Sequence, residues 1–182
     1  TLALFLTAGS AAYWQGWAYL ATFAGCTLWI TLDLFRNDQQ LLERRVKGGP
    51  VAEKQRNQQL IQSLANLFFI LLFIIPGLDY RFHWSKVHAA ISLVSDGVVT
   101  LGFYIVSKVF KENSFTSATI EVVNKQVVIS SGPYRLVRHP MYAGAFLLLL
   151  FTPLALGSWI SILLPLPLFL VIVLRLLDEE KY

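Results

Sequence analysis

The sequence predicts an all-α, polytopic membrane protein with about five full transmembrane helices behind a truncated N-terminal one. Of its 182 residues, 55% are hydrophobic and only 14% are charged, which is too apolar for a soluble chain of this length. The apolar residues also form continuous blocks that approach the length needed to cross about 30 Å of hydrocarbon. Continuous blocks indicate membrane spans, because the surface helix of a soluble protein shows an apolar stripe instead.

Five apolar blocks follow an apolar start that we interpret as the end of a truncated span. They cover residues 16–35, 60–78, 87–109, 141–156 and 157–174, with polar loops at 36–59, 79–86 and 110–140. Only residues 156–158 join the last two blocks, which predicts a tight helical hairpin. The sequence does not begin with methionine and stops after an acidic cluster. We therefore expect 1–182 to be a single membrane-embedded domain of a longer chain whose C-terminal tail is missing.

The distribution of lysine and arginine predicts the orientation of the helices. All but two of the 15 basic residues lie in or beside the loops at 36–59 and 110–140, or after the last block. The opposite face carries only Arg81 and Lys86. Four tryptophans fall at block ends on that face, as in an aromatic belt: Trp14, Trp17, Trp84 and Trp159. Because cytoplasmic loops carry the excess of positive charge, we expect the basic face to be cytoplasmic.

The composition also excludes several classes of function. A single cysteine, Cys26, cannot form a disulfide framework or a cysteine-based metal site within this chain. The net charge of +4 is explained by basic residues beside spans that face anionic lipid headgroups. A nucleic-acid partner is therefore not predicted.

The first candidate for chemistry is the stretch 131–144, which crosses from a polar loop into the fourth block. Pro140 suits the first turn of a helix, so the span should begin there. The exposed amides and the positive end of the helix dipole favour an anion at this point. Arg138 and His139 add hydrogen-bond donors, and the set fits a carboxylate.

Two further features lie on the same predicted face. Arg175 and Glu179 are four residues apart at the end of the last block, and hence on one face of a helix. The predicted hairpin returns them to the membrane surface where Arg138 and His139 lie. The polar segment 113–131 alternates polar and apolar residues over 119–129, which predicts an extended wall over the pocket.

Other residues leave alternatives open. Asp96 falls inside the third block, where an ionisable group is costly, so it is either a buried partner of Ser95 or Thr100 or has a role in substrate access. Residues 41–45 predict an interfacial helix whose charges face water and headgroups.

Three short motifs occur in a specific order: Gly132-Pro133-Tyr134, Arg138-His139-Pro140-Met141-Tyr142 and Arg175-x-x-x-Glu179-Glu180. Their order and spacing resemble the isoprenylcysteine carboxyl methyltransferase family and the related phospholipid methyltransferases. The resemblance implies an integral membrane methyltransferase with S-adenosylmethionine as its cofactor. It also implies that the cofactor-binding core lies within 110–182.

The resemblance assigns expected roles to individual residues. Contacts to the cofactor are expected from Tyr134, His139, Pro140, Met141, Tyr142 and Glu179. The matching segment of the family lines the cofactor cleft mainly through its backbone, which here corresponds to Gln126, Val127, Val128 and Ile129. Arg175 and Arg138 are the expected catalytic residues, and Arg175 would touch the substrate.

The methyl acceptor stays open at this point. An isoprenylcysteine-like carboxylate, a phospholipid amine and a small thiol all suit a membrane methyltransferase, so we expect a lipophilic or small acceptor. Membrane lipids are expected partners, and neither nucleic acid nor metal is. The expected location is a bacterial inner membrane with the active site facing the cytoplasm.

Two other classes of protein compete with this interpretation. A sterol-reductase-like membrane oxidoreductase would bind a nicotinamide cofactor and normally needs more spans than this chain offers. A non-catalytic membrane scaffold would bind no cofactor. The presence of Arg138, His139, Pro140 and Glu179 together argues against a scaffold.

Overall fold

The computed structural model describes residues 2–46, 56–114 and 130–179, with the backbone alone for 56–58 and 174–179. These residues form the helices α1 Leu2–Ala8, α2 Trp14–Asn37, α3 Gln39–Val46, α4 Arg56–Phe82, α5 Ala89–Glu112, α6 Pro140–Ala155 and α7 Pro165–Glu179. A first 3₁₀ turn, Gly132–Arg135, precedes α6, and a second, Ile160–Leu163, precedes α7. The described parts of the chain contain no strand, which confirms the all-α prediction.

Three helices of the described chain are long and apolar enough to cross a membrane. They are α2, the part Gln59–Phe82 of α4, and α5. Helices α6 and α7 are shorter, with 16 and 15 residues, where a perpendicular span needs about 20. The predicted blocks therefore correspond to helices in the predicted order, and α6 begins at Pro140, as predicted.

The connection between the last two helices is longer than the sequence predicted. Helix α6 ends at Ala155, and the chain passes through Gly157, with φ of 75°, and the second 3₁₀ turn before α7 begins at Pro165. Proline has no N–H and a fixed φ that suits a first helical turn, so Pro165 starts a new helix. The two helices still form a hairpin, since the rings of Phe146 and Phe169 stack at 4.1 Å.

Helices α5 and α6 form the most extensive helix pair in the described chain. Their backbones meet at two glycines. A Cβ added to Gly102 would lie 2.9 Å from the carbonyl oxygen of Gly144, and one added to Gly144 would lie 3.0 Å from that of Gly102. Both glycines are buried, so this close approach fixes the register of α6 on α5.

Asp79 ties together the end of the bundle that carries the tryptophans. It is 1% exposed, and its carboxylate accepts hydrogen bonds from the backbone N–H of Ser85 at 2.7 Å and from the hydroxyls of Ser85 and Ser158. The backbone N–H of Trp159 in turn donates to the Ser85 hydroxyl at 3.0 Å. One carboxylate thus joins α4, the α4–α5 link and the α6–α7 connection.

Tyr13 adds the start of α2 to this end of the bundle. Its hydroxyl donates to the carbonyl oxygen of Leu156, and its ring stacks on Tyr80 at 4.4 Å. Burial and the nearby Asp79 carboxylate raise the pKa of Tyr13 well above its ordinary value, so the hydroxyl keeps its proton and remains a donor.

We predict that Gly102→Val destabilises the protein by about 1–3 kcal/mol, because the backbone of α6 must move away from the added side chain. Thermal unfolding in detergent measures the effect. Gly97→Ala is the matched control on α5, since no atom lies within 4 Å of its Cβ. Equal unfolding temperatures for the wild type and Gly102→Val would contradict the close approach.

We predict that Asp79→Ala lowers the free energy of unfolding by about 3 kcal/mol, because it leaves the half-buried donors of Ser85 and the buried hydroxyl of Ser158 without their acceptor. Asp79→Asn keeps one acceptor oxygen for the Ser85 amide and should lose less. Thermal or denaturant unfolding of the three proteins tests this order. A larger loss in Asp79→Asn than in Asp79→Ala would contradict it.

Candidate functional site

The predicted site residues that the structure describes lie at the opposite end of the bundle from Asp79. This end, called the site end below, consists of α3, the C-terminal ends of α2 and α5, the first 3₁₀ turn and the start of α6. Helix α5 runs from the Asp79 end to the site end, and α6 begins there. The structure therefore brings the first motif against the last turn of α5.

The first 3₁₀ turn docks on the end of α5 through polar side chains. The Ser131 hydroxyl donates to Glu112 at 2.8 Å, and the Asn113 side-chain amide donates to the hydroxyl of Tyr134 at 3.0 Å. Gly132 has a φ of 54° and lies so close to Glu112 that a Cβ would come within 2.6 Å of its side chain. Glycine suits both the positive φ and the close contact, and the docked turn fixes the position of the Tyr134 ring.

The start of α6 presents the second motif. Pro140 is buried, while His139, Met141 and Tyr142 are half-buried and Arg138 is exposed. The His139 carbonyl accepts the backbone N–H groups of Tyr142 and Ala143 at 3.1 and 3.3 Å, but its imidazole does not cap the helix. The His139 and Tyr142 rings lie 6.1 Å apart. The His139 side chain therefore lies beside the positive end of the α6 dipole.

Helix α3 reaches this site, contrary to the sequence-based interpretation of its charges. Asp38 caps the helix by accepting the backbone N–H of Leu41 at 2.9 Å, and Leu41 is fully buried. Arg44 donates to the carbonyl oxygen of Ser114 at 2.6 Å, and Arg45 donates to the Met141 sulfur at 3.2 Å. The predicted helix is present, but the prediction that these charges face only water and headgroups is wrong.

A cavity of about 370 Å³ opens between α2 and α5 beside this contact. Lys111 forms a salt bridge with Asp33 at 3.3 Å in its wall. The residues that line it are Asp33, Leu34, Asn37, Asp38, Phe110, Lys111 and Ser114. The cavity thus combines charges of both signs with an aromatic ring at the site end.

The third motif lies on α7, whose backbone includes Arg175 and Glu179. The stacked rings of Phe146 and Phe169 give the relative height of the two helices. Pro140 precedes Phe146 by six residues, and Arg175 follows Phe169 by six. With a rise of 1.5 Å per residue, both lie about 9 Å from the stacked pair in the same direction. The end of α7 therefore returns to the level where α6 begins.

Some predicted features receive no structural account. Gln126, Val127, Val128 and Ile129, together with the predicted extended wall at 119–129, lie outside the described residues. Among the described residues, no group of three histidine, cysteine or acidic side chains could hold a metal ion.

Asp96 is buried within α5, and the Thr100 hydroxyl bonds to its backbone carbonyl rather than to its carboxylate. Its Oδ1 atom has no partner among the described residues. Of the two partners suggested by the sequence, Thr100 therefore contacts the backbone of Asp96 only.

A comparison with known families identifies the chain. The family profile described as phospholipid methyltransferase matches residues 91–182, which is half of the sequence. The chain belongs to the phospholipid methyltransferase family. No curated protein and no solved structure matches it at a significant level. The protein is a membrane methyltransferase, because it belongs to this family and three of its described helices are long and apolar enough to span a membrane.

Sequence reasoning missed several residues of the site end. Asn113 and Glu112 hold the 3₁₀ turn, and Arg45 contacts Met141 across 96 positions of sequence. The sequence predicted a helix at residues 41–45, and the capping Asp38 could have indicated where α3 begins. Nothing in the local sequence indicates which distant residue its arginines reach.

We predict that Asn113→Ala loosens the first 3₁₀ turn, because Tyr134 loses a hydrogen bond worth about 1 kcal/mol. Amide hydrogen exchange should then be faster at Tyr134 and Leu136, whose N–H groups bond within the turn. Lys108→Ala, an exposed position on the same helix, is the control and should change neither amide. Unchanged exchange in Asn113→Ala would show that this bond does not hold the turn.

Proposed function

We propose that this protein transfers a methyl group from S-adenosylmethionine to an acceptor carried by a membrane lipid or of comparable lipophilicity. The observation that carries the proposal is that the first two motifs meet at the site end while the backbone of α7, which carries the third, returns to the same level. The docked 3₁₀ turn, the start of α6 and the end of α7 supply residues that are far apart in sequence. We assign cofactor binding to 110–182, which lies within the part matched by the family.

The residues present fit the chemistry of S-adenosylmethionine. Its carboxylate suits the positive end of the α6 dipole, the half-buried His139 and the exposed Arg138. Its amino group and ribose suit a carboxylate, for which we propose Glu179. Its sulfonium cation suits an aromatic face, for which Tyr134 and Tyr142 are the candidates. When bound, the cofactor supplies an electrophilic methyl group.

The chain's own residues would act by binding and orienting. Pro140 and Met141 set the first turn of α6, and the Asn113–Tyr134 hydrogen bond holds an aromatic ring beside it. Arg175, at the level of Pro140, is proposed to contact the acceptor. Methyl transfer by in-line displacement depends chiefly on positioning and on excluding water. Residues that bind and orient the cofactor and the acceptor are therefore the kinds of group that this reaction requires.

The acceptor would reach the site from the membrane. The spans α2 and α5, whose C-terminal ends form part of the site end, have exposed apolar side chains, such as Leu101 and Tyr104 on α5. A lipid-borne acceptor can therefore approach laterally while the cofactor binds from water. A phospholipid amine, an isoprenylcysteine-like carboxylate and a small thiol are the acceptor classes to be compared. We place the site end on the cytoplasmic side, because it carries the excess of basic residues.

The first experiment is calorimetric titration of S-adenosylmethionine and of its demethylated product into the detergent-purified full-length chain. We predict binding in the micromolar range that is weakened at least about tenfold, or about 1.4 kcal/mol, in His139→Ala and in Glu179→Ala. Lys86→Ala is the control, since it removes an exposed charge near the other end of the bundle.

Thermal unfolding of each variant shows whether it is folded. A folded wild type that binds neither compound sinks the assignment of S-adenosylmethionine. Binding that survives in both variants would leave the cofactor in place but would move its site away from His139 and Glu179.

A further inference from the structure

The amphipathic helix α3 is anchored to the hydrophobic core of the helix bundle by its leucines and to neighbouring parts of the site end by its arginines. Leu41 is fully buried in the main hydrophobic cluster, and Leu42 packs against that cluster. Two consecutive arginines follow on the next turn of the helix. Arg44 reaches Ser114, at the end of α5, and Arg45 reaches Met141, in the first turn of α6. Helix α3 thus contacts both flanks of the segment 115–139.

The Arg45 guanidinium occupies a specific place in this arrangement. Its carbon Cζ lies 4.6 Å from the centroid of the Phe110 ring, over the last turns of α5. One terminal nitrogen also donates to the Met141 sulfur at 3.2 Å. Phe110, Met141 and Arg45 are all half-buried. The guanidinium therefore bridges α5 to the first turn of α6 at the point where the two helices diverge.

We propose that Arg45 is a positioning residue of the cofactor site, which holds Met141 and the first turn of α6 in place from helix α3. The proposal rests on the assignment of the start of α6 to S-adenosylmethionine. Arg45 acts through Met141 and Phe110 rather than by touching the cofactor. Helix α3 lies outside the residues matched by the family, so this role belongs to the N-terminal half of this chain.

The chemistry of the contact explains why arginine stands at this position. A planar guanidinium can stack on an aromatic face and direct an edge N–H group at a neighbour at the same time, whereas a lysine ammonium is a strongly hydrated point charge. A thioether is only a weak acceptor, so the bond to Met141 adds direction more than energy. The stacking on Phe110 is worth more where it is shielded from water.

The test measures binding of S-adenosylhomocysteine, the demethylated product, by calorimetry, and amide hydrogen exchange in its absence. We expect Arg45→Met, which keeps the apolar stem, to bind about tenfold more weakly, and Arg45→Lys to lose about threefold. In the ligand-free protein, Arg45→Met should speed exchange at Tyr142 and Ala143, whose N–H groups bond to the His139 carbonyl. Arg36→Met, an exposed arginine at the end of α2, is the charge-matched control and should change neither quantity.

A double-mutant cycle separates action through Met141 from a general effect on the fold. If Arg45 works through Met141, the loss caused by Arg45→Met shrinks in a Met141→Leu background, because interacting residues are not additive. Fully additive losses, or faster exchange throughout all helices in Arg45→Met, would overturn the positioning role. Unchanged affinity and unchanged exchange in Arg45→Met would overturn it as well.

The two measurements, product binding and amide hydrogen exchange, also distinguish failure of this inference from failure of the proposed function. A folded wild type that does not bind the product removes the cofactor from the site and with it the proposed function. The exchange arm needs no ligand, so it still decides whether Arg45 holds the start of α6.

Discussion

The close approach of α5 and α6 at Gly102 and Gly144 is the constraint on which the placement of the candidate site depends. From this crossing, α5 continues for ten residues to Glu112, while α6 begins only four residues away at Pro140. With a rise of 1.5 Å per residue, α5 extends about 9 Å beyond the start of α6. The first 3₁₀ turn docks on this overhang, with Tyr134 bonded to Asn113. A different register at the crossing would remove the surface that carries the turn.

The two ends of the bundle differ in how they are held together. At one end a buried carboxylate, Asp79, accepts three hydrogen bonds from Ser85 and Ser158, and removing such an acceptor deep in protein is costly. At the other end the contacts involve half-buried or exposed groups, such as Ser131 with Glu112 and Lys111 with Asp33. Exposed pairs of this kind contribute little to stability. The polar contacts of the site end therefore contribute less to the stability of the fold than the hydrogen bonds of Asp79 do.

The sequence alone predicted the spans well and the contacts of the site poorly, for physical reasons. Apolar blocks report burial in lipid, so α2, α4, α5 and α6 appear close to their predicted places. Hydropathy does not detect a break in a helix when the residues on both sides are apolar. The last block was therefore predicted to begin at residue 157, whereas α7 begins at Pro165. Side-chain contacts such as that of Arg45 with Met141 depend on how the helices pack, which the pattern of residues along the sequence does not reveal. The family motifs pointed to the right family because their spacing is itself sequence information.

The half of the chain that matches the family profile and the half that does not contribute different parts of the candidate site. Residues 91–182 contain most of α5, all of α6 and α7 and the three motifs, so this half carries the groups assigned to the cofactor. The first half supplies α2 and α3, whose Asp33 and Arg45 contact Lys111, Phe110 and Met141 from outside. Asp33, Lys111 and Phe110 also line the cavity between α2 and α5. Changes in the first half can therefore alter how tightly the end of α5 and the start of α6 are held, while the groups assigned to the cofactor stay the same.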